Sequence, residues 1–481
     1  MADVFTRRDV WSLEEEQSWH PVLETYALAV AAMQERDPED PTSWGYQAAV
    51  HGVASGTPPD DFRNQCQHRT WFFLPWHRMY LYWFERIVRS AVSDELRESW
   101  ALPYWNYDRG GSTAELPPAF RDPTLPDGSP NPLFVEERDQ FINSGGALDP
   151  MMTSPRLALA EAEFSLEGGP GLPGGFGGPE TDWHFIGPES PGEVEKTPHN
   201  DVHGAVGGQF GFMSGFDTAP LDPVFYLHHA NVDRLWAVWR AQVDPNERTD
   251  PTDPRWRTSI QFHFHDEQGD EVALRPEDVV ATEALGYVYD DVAPAPAPGL
   301  RGPDIRREPP PDHPPELVGA TDERVELTGD AASVAVPLAP PSGPLLRAGE
   351  AAEPSRVYLN LEGIEGERNP GLSYAVYVNL PDDDDPDADP EKHYVGNVSF
   401  FGVELAGDVD RDDHGGHGLR YAFDITPLVE QLRAQDRWDP EQMKVTFTPL
   451  RVQAPPGAAP DARAAEPTPP VRIGRVSLYY Q

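Results

Sequence analysis

Apolar residues recur at helical spacing at Val224, Leu227, Leu235, Trp236 and Trp239, which predicts an amphipathic helix over 221–240. Asp222 is a suitable cap and Pro223 a suitable first helical residue. Further upstream, Tyr80, Leu81, Phe84, Ile87 and Val88 mark a second apolar helix face. That helix begins near His77, because Pro75 rules out one continuous helix from His68 to His77. Shorter helices are expected from the capping box Ser12-Leu13-Glu14-Glu15, over 22–34, and from Ser43 to His51, where Gly52 is the stop. Residues 108–192 are rich in glycine and proline. After them Pro198 opens a short helix that should end at Gly204.

Beyond Arg240 the helical pattern fades, and from Ser355 the period becomes two. Residues 357–361, 374–380, 394–403, 420–425, 444–448 and 471–480 read as strands, and only 427–435 reads as a helix. Several short strands separated by turns predict an all-β sandwich. Between the two patterns lie the Ala-Pro run 293–298 and Pro309-Pro310-Pro311, a stiff and extended linker over 290–317. The expected organisation is a helical unit over 1–288, a proline-rich linker over 289–350 and a β-sandwich over 351–481.

The 481 residues exceed one ordinary core, in keeping with more than one domain. A formal net charge of −44 repels nucleic acid and anionic membranes, so neither is an expected partner. No apolar run of about 18 residues is present to cross a membrane. Arg7 and Arg8 are followed by no apolar segment, so no signal peptide is expected and the cytoplasm is the expected location. The single cysteine, Cys66, excludes an intrachain disulfide.

Chemistry is concentrated in the 15 histidines. His199 and His203 stand four apart, one helical turn, as two ligands of one metal must. Alone this is weak, since about 0.5 such pairs arise by chance at this histidine frequency. Asn200 stands where a zinc protease has its glutamate, which disfavours that chemistry. The joint pattern is stronger. His51, His68 and His77 form one set; His199, His203 and one of His228 and His229 form another, each on or beside an apolar aromatic helix. Two all-imidazole sets without cysteine or carboxylate suit copper.

The segments HRTWFFLPWHRMYLYWFE (68–85), LPYWNY (102–107), HNDVH (199–203) and DPVFYLHHANVDRLW (222–236) resemble the binuclear type-3 copper proteins: tyrosinases, catechol (polyphenol) oxidases and molluscan haemocyanins. The resemblance covers about residues 5–245. It implies a mainly α catalytic domain whose four-helix bundle holds two copper ions, one on His51, His68 and His77, the other on His199, His203 and His229, with His228 behind them. It implies a thioether between Cys66 and His68, a water held near the second copper by Glu195 and Asn200, and a gate at Phe216 over the first. The strands of the C-terminal part resemble the domain that covers the copper site in plant polyphenol oxidases and haemocyanins and inserts one side chain into it. Tyr394, Phe400 and Phe401 are the candidates for that side chain. The implied activity uses O2 to hydroxylate monophenols and to oxidise o-diphenols to o-quinones, latent until the cover is displaced. The alternatives are a strict catechol oxidase and a haemocyanin-like O2 carrier.

Overall fold

The histidine-bearing segments fold largely as their spacing predicts, with changes at their ends. The computed structural model describes residues 4–53, 60–92, 94–169, 171–182, 186–242, 248–293, 314–339, 354–381, 393–406, 418–458 and 467–481. Most of the linker over 290–317 therefore lies outside the described residues. Among those described, no helix is long and apolar enough to cross a membrane.

Helix α1 (Val10–Glu16) starts before the expected capping box, because the Asp9 carboxylate accepts from the Trp11 N–H at 3.3 Å. The same carboxylate is also paired with Arg109, a partner distant in sequence. Helix α2 (Pro21–Gln34) and helix α3 (Trp44–His51) follow, α3 capped by the Ser43 hydroxyl as expected. Helix α4 (Phe73–Ser90) carries Pro75 in its first turn, where no backbone donor is lost. Helix α5 (Asp201–Gly207) runs through Gly204 instead of ending there, preceded by a wide turn, Glu195–Asn200. Helix α6 (Val224–Arg240) begins just after Asp222, whose carboxylate accepts from the Val224 N–H. Helix α4 packs on α6 and on α2, and α2 on α3. At the α4–α6 crossing the Phe84 and Tyr226 rings stack at 3.4 Å.

A buried ionic knot ties these helices to distant chain. Strand β1 (Phe5–Arg7) pairs in parallel with β2 (Tyr287–Tyr289). Asp233 on α6 accepts from Arg78 on α4 and from the Tyr287 and Tyr289 hydroxyls at 2.7 and 2.5 Å. Arg7 bridges Glu85 at 2.7 Å and Asp233 at 3.4 Å. Burial alone would raise the Asp233 carboxyl; the Arg78 and Arg7 charges and the two hydroxyls outweigh it and hold the group below its ordinary range.

The C-terminal part forms two antiparallel sheets. Its strands are β3 (Glu316–Ala320), β4 (Val325–Leu327), β5 (Ala332–Pro337), β6 (Val357–Gly366), β7 (Ser373–Val378), β8 (Tyr394–Val398), β9 (Leu419–Asp424), β10 (Gln442–Leu450) and β11 (Val471–Tyr480). One sheet has the order β8-β7-β10-β5; the other has β9-β6-β11-β3, with β4 also on β11. Three of these strands, over 316–337, lie inside the stretch expected to be linker. They are short and flanked by prolines, but they complete the sheets through β10 and β11. Helix α7 (Val403–Ala406) follows β8, and α8 (Thr426–Ala434) stands where 427–435 was expected to be helical.

The alternation along β7 explains how the sheets meet the helices. Tyr374, Val376 and Val378 point into the core between the sheets. Ala375 and Tyr377 point the other way and join the core of the helical part, together with Phe401. A strand with a period of two thus serves both cores.

Candidate metal centre

Seven buried histidines converge from four places in the chain. The nitrogens of His51, His68 and His77 lie within 4.8 Å of one another, as do those of His199, His203, His228 and His229. His51 ends α3, His77 is in the second turn of α4, His203 is on α5, and His228 and His229 are on α6. His68 and His199 come from the segments leading into α4 and α5.

Five of the rings are aimed by what their Nδ1 touches, whereas His229 Nδ1 is buried without a partner. His51 Nδ1 meets the Phe216 carbonyl at 3.0 Å, His77 Nδ1 the Phe73 carbonyl at 2.8 Å and His203 Nδ1 the Met213 carbonyl at 2.8 Å. A carbonyl only accepts, so these three rings carry their proton on Nδ1 and leave the Nε2 lone pair free. His68 Nδ1 is 3.0 Å from Glu195 Oε1, and His199 Nδ1 is 2.9 Å from Asn200 Oδ1. On the opposite edge, Nε2 of His51, His68, His77 and His199 is buried without a partner. His203 Nε2 and His229 Nε2 face each other at 3.2 Å. Two ligand nitrogens each about 2 Å from one ion stand about that far apart. Buried lone pairs that meet no donor are what a metal ion satisfies, and an all-imidazole donor set fits copper.

His229 and His228 differ in surroundings. The His229 ring stacks on His77 at 4.5 Å and 14°, between the two groups. His228 Nδ1 meets the Tyr107 hydroxyl at 3.2 Å, and its ring lies against His199 and His203 on the outer side. Tyr107 closes the motif LPYWNY, so a signal for it was present without its role. Burial pushes all seven imidazoles below their ordinary value, His51 and His228 to about 3. They therefore remain neutral at pH 7, as ligation requires.

Glu195 is fully buried, and burial pushes it up to about 8, opposed by the Arg69 backbone N–H and by the Arg69 and Lys196 charges. Its oxygens accept from that N–H at 3.2 and 2.9 Å while Oε1 meets His68. Asn200 Oδ1 serves His199, and its Nδ2 reaches the Tyr421 hydroxyl at 3.4 Å. Cys66 is buried on the approach to His68.

Phe216 lies edge-on to His68 at 4.5 Å, and its carbonyl anchors His51. Gly52 stops α3 with an extended backbone; what demands glycine is proximity, since a Cβ there would stand 2.5 Å from the Phe216 oxygen. Gly52→Ala is expected to loosen the His51 anchor and lower metal retention after dialysis, measured by elemental analysis, with an unchanged far-UV spectrum.

Of the three candidate residues from the C-terminal part, Phe401 is the one at the histidines. Its ring stacks on His203 at 4.1 Å and 21° and touches Phe216 at 4.3 Å. Phe400 instead faces the sandwich core beside Tyr374, and the Tyr394 hydroxyl is bonded to Asn397. Polar contacts seal the same boundary. Lys196 Nζ donates to the Ala422 carbonyl at 2.6 Å, and Asn397 Nδ2 donates to Asp201 at 2.7 Å.

Comparison with known proteins agrees with this geometry. Residues 41–165 and 176–242 match the common central domain of tyrosinase, and 250–297 match the polyphenol oxidase middle domain. Residues 314–481 match a domain of unknown function. Tyrosinase HcTyr1 of Hahella sp. (strain CCB-MM4) is 33% identical over 98% of this chain and 99% of its own. Polyphenol oxidase E of Solanum lycopersicum is 32% identical over 59% of this chain and 48% of its own. The solved structure of latent apple tyrosinase shares the fold, with a TM-score of 0.64 and 23% identity over 100% of this chain and 98% of that one. By its near full-length likeness to a tyrosinase and by its two histidine groups, this chain belongs to the tyrosinase and polyphenol oxidase family of copper oxidoreductases.

Proposed function

We infer that this chain is a copper-dependent phenol oxidase, held latent by its own C-terminal part. The observation that carries the reading is the pair of facing histidine groups with Phe401 stacked on His203. His51, His68 and His77 would hold one copper and His199, His203 and His229 the other. When bound, the two ions supply the two-electron chemistry with O2 that converts phenols to o-quinones.

The rest of the reading concerns the protein's own groups. The Phe73, Met213 and Phe216 carbonyls, Glu195 and Asn200 hold five of the rings with Nε2 turned inward. Phe401 occupies the position over His203 that a phenol ring would take, and Phe216 forms the wall beside it. Asn200 Nδ2 is engaged by Tyr421 of the cover; with Tyr421 gone, that donor and Glu195 are the proposed seat of a water that accepts the phenol's proton. Closing the site excludes solvent and substrate alike.

Gly402 supplies a test. Its φ is +78°, and a Cβ there would run into the Phe216 ring. Gly402→Ala in the copper-loaded full chain is expected to displace Phe401 and raise catechol turnover about tenfold, equivalent to the loss of one aromatic pair of about 1.4 kcal/mol. Tyrosine, catechol and o-aminophenol assayed side by side will separate monophenol from diphenol activity. A Gly402→Ala chain that holds two coppers and oxidises none of the three would overturn the reading.

A further inference from the structure

The buried interior is balanced in charge, and the rest of the chain is not. Among the described residues seven acids and seven bases are buried. The chain holds 81 acids and 37 bases, so the whole formal excess of 44 carboxylates lies outside that buried set. Spread over 20494 Å² of accessible surface, they stand roughly 20 Å apart, closer than the ~30 Å screening length of 0.01 M salt and far beyond the ~3 Å of 1 M salt. Dilute salt leaves these charges repelling one another, and molar salt silences them.

The excess falls on both sides of the boundary between the helices and the cover. Residues 1–293 carry 49 acids and 20 bases; residues 314–481 carry 29 acids and 14 bases. The two parts are therefore −29 and −15, and each repels the other. Every ion pair between described residues lies within one part. What crosses the boundary is ring contacts and hydrogen bonds with at most one charged partner. The Ala422 N–H donates to Ser190 Oγ at 2.9 Å. Ala147 and Gln453 exchange backbone N–H···O bonds at 3.1 and 2.8 Å. Together with Lys196, Asn397 and Phe401, these are short-range contacts that salt scarcely weakens, set against a long-range repulsion that salt removes.

We propose that ionic strength operates the cover. In molar monovalent salt the cover stays seated; in dilute salt the repulsion between the two like-charged parts unseats it, while the cover keeps the core between its own sheets. The metal centre is closed in strong salt and open in dilute salt. The partner this surface selects is a hydrated monovalent cation at high concentration, attracted by charge alone and held at no fixed place. The effect on turnover rests on the phenol-oxidase reading; the movement of the cover does not.

The test compares the full chain in about 0.01 M and about 1 M KCl. Amide hydrogen exchange of the metal-free protein is followed at Ala147, Ala422 and Gln453, whose N–H groups cross the boundary, and along α6, whose N–H groups do not. The three boundary amides are expected to exchange at least tenfold faster in the dilute salt, and those of α6 at an unchanged rate. Copper-loaded protein is expected to oxidise catechol about tenfold faster there as well. Glu323→Lys, Glu365→Lys, Glu367→Lys, Glu430→Lys and Glu441→Lys, made together at exposed positions of the cover, take it from −15 to −5. In that fivefold variant the boundary amides should stay slow in dilute salt. Boundary amides that exchange alike in both salts, equal acceleration along α6, or full salt dependence in the fivefold variant would overturn the proposal. Faster boundary exchange without catechol turnover would leave it standing and remove the phenol-oxidase reading instead.

Discussion

Taken from pH 7 to pH 5, the metal-free chain is expected to lose stability and to melt at a lower temperature. The cause is the burial of seven histidines in neutral form. Burial holds every one of them below the ordinary value, His51 and His228 down to about 3. In the unfolded chain each takes up a proton near pH 6.5, whereas in the folded chain it does not until far lower pH. Their stabilising contribution is therefore complete above about pH 6.5 and declines as the pH falls below it. The buried carboxyls of Glu195 and Glu404, pushed up to about 8 and about 7, act the other way over the same interval and offset part of the loss. Copper held by these rings would bind only their neutral form in the folded chain, so loading it should move the transition to lower pH. Tryptophan fluorescence and far-UV circular dichroism against pH, with and without copper, check both statements. A metal-free chain with the same melting temperature at pH 7 and pH 4.5 would contradict them.

Asp233→Ala is expected to cost about 3–5 kcal/mol, because it leaves a buried cation without its counter-charge. Arg78 is 1% exposed, and Asp233 is the acid it is paired with; Arg7 retains Glu85. The Tyr287 and Tyr289 hydroxyls would also lose their acceptor, releasing the β1–β2 pair from α6. The effect should reach the metal centre, since His229 is one turn from Asp233 and His77 adjoins Arg78. Urea unfolding of Asp233→Ala, Arg78→Met and the double variant forms the necessary cycle. Arg78→Met should recover part of the loss in the double variant, since it removes the stranded charge. Strictly additive costs would show that the pair is not coupled.

The helices and the histidines were legible because each is a local pattern. Apolar spacing placed α4 and α6 within a few residues, and the two histidine sets emerged from their positions on those helices. The choice between His228 and His229 was not legible from spacing, since neighbours on a helix differ only in direction; in the structure both lie in one group of four histidines, and only His229 also stacks on His77. Tyr394, Phe400 and Phe401 were equal candidates because residues 399–402 form a turn, where alternation no longer tells one face from the other. The strands over 316–337 were hidden by their shortness and their proline-rich flanks. Their partners β10 and β11 lie more than 100 residues later, and no local window contains both. Gly204 was read as a stop, but α5 continues through it, because the tertiary packing of a buried helix outweighs a propensity of about 1 kcal/mol.

The position of β11 between β6 and β3 has a consequence for biosynthesis. That sheet cannot close until the ribosome has delivered residues 471–480, whereas every histidine of the two groups has left the exit tunnel more than two hundred residues earlier. During translation the chain that supplies the metal ligands therefore emerges before the lid can be completed. A cell that loads the ions at that moment needs no later opening step to admit them.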